Sequence, residues 1–465
     1  MSAPILWIFL PLLLAVFLFV PRNQKIVVLV GCIFAFLMTL AAWLIPMDTV
    51  LTFANWSFKL TSSFGFLGRR LTLTSADRSL LALIYGSSFF WFVSSLATRA
   101  PRRLIPLGLA ITALLVAALA VEPFLYAALL IEMAVLISIP LLSTRGRRPG
   151  KGLIRFLIFQ TLAMPFILFS GWLLAGLDAN PGDLGLLQQA AVLIALGFSF
   201  LLAVFPFYSW IPMLAEESSP FAVSFFLWMF SSVTIFFGLG FLDRYTWLRD
   251  APSLRIILTS AGILMVVTGG LLAAFQRHIG RIMGYAIIME NGFSLLAISL
   301  GLGSGLSIFY MLFIPRVLSL LLWALTLTIL KDKYSTLDLD KLKGLARTWP
   351  FATSGLVMAN LTLAGMPLLA GFPSHLAVWE GVAAKSLPAV IWVLVGCLGL
   401  FISALRTIFI FVTVPDGTSW GSHETILQRI LIVTGVVTLL LLGLFPQWTL
   451  LLWTRLPAIF THLGQ

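Results

Sequence analysis

At the point where one long apolar run gives way to the next, the chain reads Phe205-Pro206-Phe207-Tyr208-Ser209-Trp210-Ile211-Pro212 and then, two residues later, Ala215-Glu216-Glu217-Ser218-Ser219-Pro220. Aromatic residues, prolines and an acidic pair are concentrated in this short stretch. The apolar runs that meet here cover residues 185–207 and 219–242. Each is long enough to cross a hydrocarbon core about 30 Å thick. The stretch is therefore predicted to lie where two membrane spans meet.

The composition of the whole chain indicates a membrane protein. Hydrophobic residues make up 60% of the 465 residues, charged residues make up 10%, and mean hydropathy is +1.07. A globular chain is typically about 45–50% apolar and about 25% charged. Backbone groups inside a bilayer must be hydrogen-bonded internally, so long apolar runs predict helices. The predicted fold class is an all-α polytopic membrane protein, with residues 1–465 as a single membrane domain.

About fourteen transmembrane helices are predicted. They lie near 4–20, 26–45, 78–97, 104–121, 123–143, 153–176, 185–207, 219–242, 254–275, 282–300, 304–330, 350–382, 388–412 and 427–447. The twelfth is interrupted by Gly365-Met366-Pro367 and Gly371-Phe372-Pro373, which predicts a broken helix near 363–375. Broken helices often line ion sites, and a plain packing kink is the alternative.

The loops carry the charge and set the predicted orientation. With the N-terminus outside, the inner loops collect 18 Lys and Arg residues and the outer loops 9. Cytoplasmic loops carry the excess, so both termini are predicted on the outer face of a bacterial inner membrane. The net charge of +12 is spread over short loops, which excludes a nucleic-acid surface. The first apolar run lacks a basic leader and is predicted to be a retained span.

Two longer connections are expected to carry local structure. Residues 46–77 are rich in Thr, Ser, Phe and Gly and are predicted to form a short hairpin. Residues 337–345 are predicted to form an amphipathic surface helix that Gly344 ends. The two cysteines and four histidines are scattered, with no ligand spacing, so no cofactor or metal site is predicted.

Ionisable side chains within spans are the candidate site residues. A charge at the bilayer centre costs about 2.5–3.5 kcal/mol on insertion scales, so such residues are few. Each one is therefore taken as a candidate for a functional role. The predicted proton-path residues are Glu132, Glu290, Arg316 and His375. Histidine is the residue type that commonly exchanges protons near physiological pH, which suits a proton exit at His375, whereas Arg316 cannot pass on its own proton. Glu380 and Arg406 are secondary candidates.

Each candidate also has a structural interpretation. Glu132 is alternatively a carboxyl held neutral by a local hydrogen bond. Glu290 and Arg316 are alternatively an ion pair that only fixes packing. His375 is alternatively an interfacial histidine bonded to the backbone.

Four motifs in order resemble the proton-antiporter membrane subunit family, which comprises membrane subunits of respiratory complex I (NADH:quinone oxidoreductase) and of Mrp-type Na+/H+ antiporters. The junction stretch resembles the family's "PFHxWLPDA…AP", and Tyr126 to Glu132 is close to its "YxxLE". Arg281, Tyr285 and Gly292 are retained from a third motif, and Gly371-Phe372 with His375 matches a fourth. The resemblance covers about residues 70–415, flanked by helices in 1–69 and 416–465. It implies an antiporter-like fold with two inverted five-helix repeats, and it adds Tyr285 and Arg281 as secondary site residues.

The chain departs from the family where a polar axis of carboxylates and lysines is expected. Leu201, Val233 and Gly280 stand at three lysine positions, and Glu290 stands where the family usually carries His or Gln. Two function classes therefore stay open, with a stand-alone solute transporter as a third. The chain is predicted to translocate protons, or to exchange a cation such as Na+ for protons, beside other membrane subunits of a complex I-like or Mrp-like assembly. The alternative is a structural, non-conducting paralogue that docks in the same kind of assembly.

Overall fold

The fold is described from a computed structural model. It describes residues 2–53, 56–66, 68–98, 100–143, 148–179, 183–301, 303–334, 336–413, 420–449, 456, 459–460 and 462–463.

Helices account for most of the described chain. In chain order they are α1 Leu10–Phe17, α2 Gln24–Leu44, α3 Arg78–Ser94, α4 Leu104–Ala120, α5 Ala127–Leu142, α6 Lys151–Ala179, α7 Leu184–Leu201, α8 Trp210–Glu217, α9 Pro220–Arg244, α10 Thr246–Arg249, α11 Pro252–Phe275, α12 Ile279–Ser299, α13 Ser304–Met311, α14 Phe313–Lys333, α15 Leu345–Thr348, α16 Pro350–Leu363, α17 Gly371–Ala383, α18 Leu387–Val412 and α19 Ile426–Leu444. A π-helical turn, Ile5–Phe9, leads into α1.

The helices match the predicted all-α membrane class. Among the described residues, eleven helical segments are long and apolar enough to cross a membrane. Two apolar segments are shorter, Ile5–Phe17 and Leu104–Ala120. The predicted count of about fourteen spans and the orientation of the termini stay predictions.

The junction stretch forms the compact connection that its sequence indicates. α7 ends at Leu201, a 3-10 turn covers Phe207–Ser209, and the short helix α8 leads to α9. α8 packs against α6 and α12, and its Trp210 is buried. The Glu217 carboxylate accepts a hydrogen bond from the Gly152 backbone N–H at 2.9 Å, in the first turn of α6, where the helix dipole favours a negative charge. The acidic pair thus belongs to the connection between helices.

Two antiparallel hairpins occupy the loop between α2 and α3. β1 Val50–Phe53 pairs with β2 Trp56–Lys59, and β3 Ser63–Phe66 pairs with β4 Arg69–Thr72. A two-residue strand, β5 Val121–Glu122, joins the second hairpin. The predicted hairpin in 46–77 is confirmed, and the structure adds a second one.

The segment before α16 is not the predicted amphipathic helix. Asp338 forms a β-bridge with His278, and a 3-10 turn covers Leu339–Lys341. Gly344 has a φ of 73° and precedes α15 instead of ending a helix. The prediction was wrong because the leucines of this segment are buried against the protein. Its backbone bonds to the start of α12, where the Ile279 N–H donates to the Leu337 carbonyl at 3.1 Å.

The predicted broken helix is confirmed. α16 ends at Leu363 and α17 starts at Gly371, so residues 364–370 interrupt the helical path. Gly365 has a φ of +78° and Leu368 a φ of 71°, a region that an uninterrupted helix does not visit. Leu369 and Ala370 are buried, so protein covers part of the freed backbone, as irregular backbone at membrane depth requires.

Glycines bring α11 close to α12 and α18. A Cβ added to Gly270 on α11 would lie 1.8 Å from the Gly396 carbonyl oxygen on α18. A Cβ added to Gly269 would lie 2.8 Å from the Tyr285 carbonyl oxygen on α12. α11 is therefore held between α12 and α18 at backbone contact distance.

Replacing Gly270 by alanine is expected to force α11 and α18 apart. Overpacking of this kind typically costs about 1–3 kcal/mol, so the unfolding temperature of the detergent-purified protein should fall by several degrees. Tryptophan fluorescence during heating measures this. Gly303→Ala is the matched control, because nothing lies within 4 Å of an added Cβ there and φ is −81°. Equal unfolding temperatures for the two variants would contradict the packing described.

Candidate functional site

A buried carboxylate on α12 is the centre of the candidate site. Glu290 lies within the Ile279–Ser299 helix, and its side chain is 2% exposed. Apolar residues 286–289 precede it on the same helix, and α12 packs against α8, α11 and α17. A charge in such surroundings requires partners, because desolvation of an isolated carboxylate is costly.

Arg316 on α14 supplies the opposite charge. Its Nε lies 2.9 Å from Oε2 of Glu290, and its side chain is 4% exposed. Its Nη2 donates to the Ser294 hydroxyl at 2.7 Å and also to the Glu290 carbonyl. Three acceptors on one helix therefore hold the guanidinium. The ion pair that the sequence suggested as a packing element is present.

His375 on α17 completes the site from the opposite side. Its Nε2 lies 3.0 Å from Oε1 of Glu290, and its side chain is 2% exposed. The ring stacks on Phe293 with 4.1 Å between centroids and 22° between planes. We call Glu290, Arg316 and His375 the buried triad.

The second ring nitrogen of His375 faces the helix break. Among the described residues Nδ1 has no hydrogen-bond partner. A Cβ added to Gly365, within the break, would lie 2.9 Å from this nitrogen. With Nε2–H donating to Glu290, Nδ1 carries the free lone pair of the neutral imidazole. The ring thus lies between the Glu290 carboxylate and the interrupted backbone.

This arrangement allows proton exchange without moving the fixed charge. Arg316 stays protonated, since a guanidinium is effectively never deprotonated in proteins. Glu290 and His375 share one hydrogen bond and can both bind a proton. A proton can therefore be exchanged between them while Arg316 stays charged.

Glu132 lies apart from the buried triad. It is half-buried on α5, which packs against α4 and α6, and its Oε1 accepts a hydrogen bond from Thr161 at 2.8 Å. Met133 and Leu136 beside it are 48% and 50% exposed. The structure brings together three of the four predicted proton-path residues. The role of Glu132 in a path stays a prediction.

The secondary candidates lie on other parts of the helices. Arg281 pairs with Glu216 at 2.5 Å near the start of α12, and the Tyr285 ring lies 6.4 Å from the Tyr208 ring. Glu380 is exposed on α17. Arg406 donates to the Ala274 carbonyl at 2.7 Å, while its Nε and Nη2 have no hydrogen-bond partner among the described residues. None of these side chains hydrogen-bonds to the buried triad.

The three positions without the expected lysine are buried and apolar. Leu201 is 3% exposed and Val233 is 0% exposed. A Cβ added to Gly280 would lie 2.6 Å from the Ala215 carbonyl oxygen, so a longer side chain requires α8 to move. The surroundings of these three positions therefore fit the small or apolar side chains that the chain carries there.

Sequence reasoning missed two supporting side chains, Ser294 and Phe293. They follow Glu290 by four and three residues, and residues at these spacings lie on one helix face. That spacing was the available signal. Nearby, Asn291 donates to the Ser231 hydroxyl on α9 at 3.3 Å, which extends the polar contacts away from the triad.

Comparison with known proteins confirms the predicted resemblance. Residues 183–403 match the family described as "NADH:quinone oxidoreductase/Mrp antiporter, TM". NADH-quinone oxidoreductase subunit N of Ectopseudomonas mendocina is 27% identical over 331 residues. This alignment covers 65% of the chain and 65% of that relative, slightly less than two thirds of its length.

Solved structures confirm the antiporter-like fold. A chain of respiratory complex I from Thermus thermophilus has 20% identity and a TM-score of 0.77, covering 99% of this chain and all (100%) of that chain. A chain of the Mrp complex from Dietzia sp. has 17% identity and a TM-score of 0.79, covering 99% of this chain and 97% of that chain. At these identities the likeness is one of fold. The two inverted repeats stay a prediction.

A double-mutant cycle on Glu290 and Arg316 is expected to give non-additive losses of stability. Arg316→Met alone leaves Glu290 buried with one partner fewer, which typically costs about 3–5 kcal/mol. Adding Glu290→Gln removes the uncompensated charge, so the double variant should lose less free energy of unfolding than the sum of the single variants. Chemical denaturation in detergent measures all three.

The matched control for this cycle is the half-exposed pair of Arg281 and Glu216, whose side chains are 41% and 34% exposed. Arg281→Met should cost less than about 1 kcal/mol. Additive losses for Glu290 and Arg316 would contradict the described coupling.

Proposed function

We propose that this chain, a divergent relative of the antiporter-like membrane subunits of NADH:quinone oxidoreductase and Mrp antiporters, translocates protons within a multisubunit assembly of a bacterial inner membrane. The observation that carries the proposal is the contact of Glu290 with both Arg316 and His375 inside the helix bundle. Intramembrane charges are expensive and commonly mark ion paths.

The geometry supports a two-site relay. A proton that arrives at Nδ1 of His375 makes the ring an imidazolium, and the proton on Nε2 then passes to Oε1 of Glu290. The ring becomes neutral again with its proton on Nδ1, and Glu290 becomes a neutral acid beside the still charged Arg316. Release of this proton from Glu290 to internal water restores the ion pair with Arg316. The ring must then return from the Nδ1–H to the Nε2–H tautomer before the next proton can follow. Only the carboxyl and the imidazole change protonation in this sequence.

Buried hydroxyl groups on α9 and α14 offer positions for internal water. Ser232 and Thr234 on α9 and Ser319 on α14 are buried, and their hydroxyls have no partner among the described residues. α9 and α14 pack against each other. Buried polar groups of this kind are commonly satisfied by bound water. Such waters would extend a proton path between these helices.

The second candidate is a structural, non-conducting subunit. The structural candidate is favoured by the three positions at which the family resemblance leads one to expect a lysine. Leu201 and Val233 have apolar surroundings, and the space at Gly280 is closed, so none of the three positions offers an intramembrane lysine. The separation of Glu132 from the triad favours it too. In this case the buried triad only fixes α12, α14 and α17.

Proton flux separates the two candidates. Flux is followed with a pH-sensitive dye under an imposed membrane potential, in vesicles that hold the native assembly and in liposomes that hold the purified chain. Glu290→Gln and His375→Gln should each lower flux by about 100-fold or more, the usual contribution of a proton-transfer group. Repeating the assay with and without Na+ tests cation exchange.

Glu380→Gln is the matched control, since it removes an exposed carboxyl from the helix that carries His375. Its flux should equal that of the wild type. Glu132→Gln tests whether the path includes the carboxyl on α5. Wild-type flux in both Glu290→Gln and His375→Gln within the native assembly would reject the relay and leave the structural candidate.

A further inference from the structure

A cleft on the side of the bundle lies between α7, α9 and α11, with α12 behind it. Its cavity measures about 230 Å³, and apolar side chains such as Phe198, Ile235 and Leu258 line most of it. The cleft has an open side, since Ala195 is exposed and Ile257 is 53% exposed on its walls. In a membrane protein such an opening faces hydrocarbon, so the occupant that fits is an apolar chain.

The apolar cleft continues into a polar cavity at one end. This second cavity, of about 480 Å³, shares five lining residues with the first: Leu242, Ala251, Leu254, Leu258 and Ile298. Its other walls include Arg249, Arg255 and Ser299. One continuous groove therefore runs from apolar to cationic surroundings. We call the polar cavity the cationic mouth.

Positive charge at the cationic mouth is only partly compensated. Lys385, from the turn between α17 and α18, donates to the Ser299 and Leu300 carbonyls at 3.1 and 2.8 Å. Arg255 is exposed, and its guanidinium has no hydrogen bond or ion pair with any part of the chain that the structure describes. Asp250 is the acidic residue in the lining; it is 76% exposed and lies 3.8 Å from Arg249. Partial burial and the nearby Arg255 guanidinium lower the pKa of Lys385, as expected for cations without an anionic partner.

The cationic mouth is at helix ends. α11 begins at Pro252, α12 ends at Ser299 and α18 begins at Leu387, so the mouth lies where the spans reach the polar boundary. Trp247, which lines the apolar cleft close to this end, is a residue typical of the interface level. Lys and Arg side chains at this level attract anionic lipid head groups electrostatically.

We propose that the groove binds one anionic phospholipid, with an acyl chain between α7, α9 and α11 and the phosphate at Arg255 and Lys385. The apolar cleft would hold the acyl chain of the lipid, and the surplus of cations would bind its anionic head group. The site is separate from the buried triad, and its occupancy does not depend on proton transfer.

Lipid titrations of the purified full-length chain, followed by native mass spectrometry, test this site. Phosphatidylglycerol should bind at low concentration, and phosphatidylcholine with the same chains should bind far more weakly. Arg255→Gln/Lys385→Gln should weaken phosphatidylglycerol binding about 30-fold, from the usual contribution of two cations near an anionic head group. Ala195→Trp, which fills the cleft and leaves the charges, should weaken it as well.

Arg22→Gln/Lys25→Gln is the matched control, because it removes two exposed cations near the start of α2. It should bind phosphatidylglycerol like the wild type. Glycerol phosphate should not compete, since it lacks the acyl chain. Equal binding of the two lipids, equal loss in the two double variants, unchanged binding by Ala195→Trp, or competition by glycerol phosphate would each overturn the proposal.

Discussion

The buried ion pair between Glu290 and Arg316 is the constraint on which the rest of the site depends. Removing each charge from water costs several kcal/mol, and their attraction repays this only when the remaining donors and acceptors are also satisfied. The structure meets this condition with Ser294, the Glu290 carbonyl and His375. Helices α12, α14 and α17 are therefore positioned by electrostatics as well as by packing.

The broken helix and the buried triad are parts of one arrangement. His375 follows Gly371, the first residue of α17, by four positions, so the restart of the helix places the imidazole beside Glu290. A Cβ added to Gly371 would lie 2.2 Å from the Thr362 carbonyl oxygen, so the chain approaches itself closely at this point. Because the helix is interrupted here, Nε2 of His375 contacts the Glu290 carboxylate and Nδ1 faces the irregular backbone.

Much of this site could be predicted from the sequence, because ionisable residues in apolar runs are rare. Glu290, Arg316 and His375 were found in this way, and the possible pairing of the first two followed from their opposite charges. Their convergence with His375 depends on helix rotation and depth, which composition does not determine. The sequence could not show that Glu132 lies apart from these three residues. Apolar residues surround it on α5, so the sequence does not indicate which face of that helix turns inward. The predicted helix near 337–345 failed for a related reason, since its leucines are buried by neighbouring segments.

In the proposed relay, Glu290 changes protonation while Arg316 holds its charge. Infrared difference spectroscopy of the reconstituted protein, with and without an imposed proton gradient, observes this carboxyl directly. The relay predicts a protonated-carboxyl band that appears under the gradient and is absent from Glu290→Gln. Proton flux in the wild type with no Glu290-dependent band would contradict it.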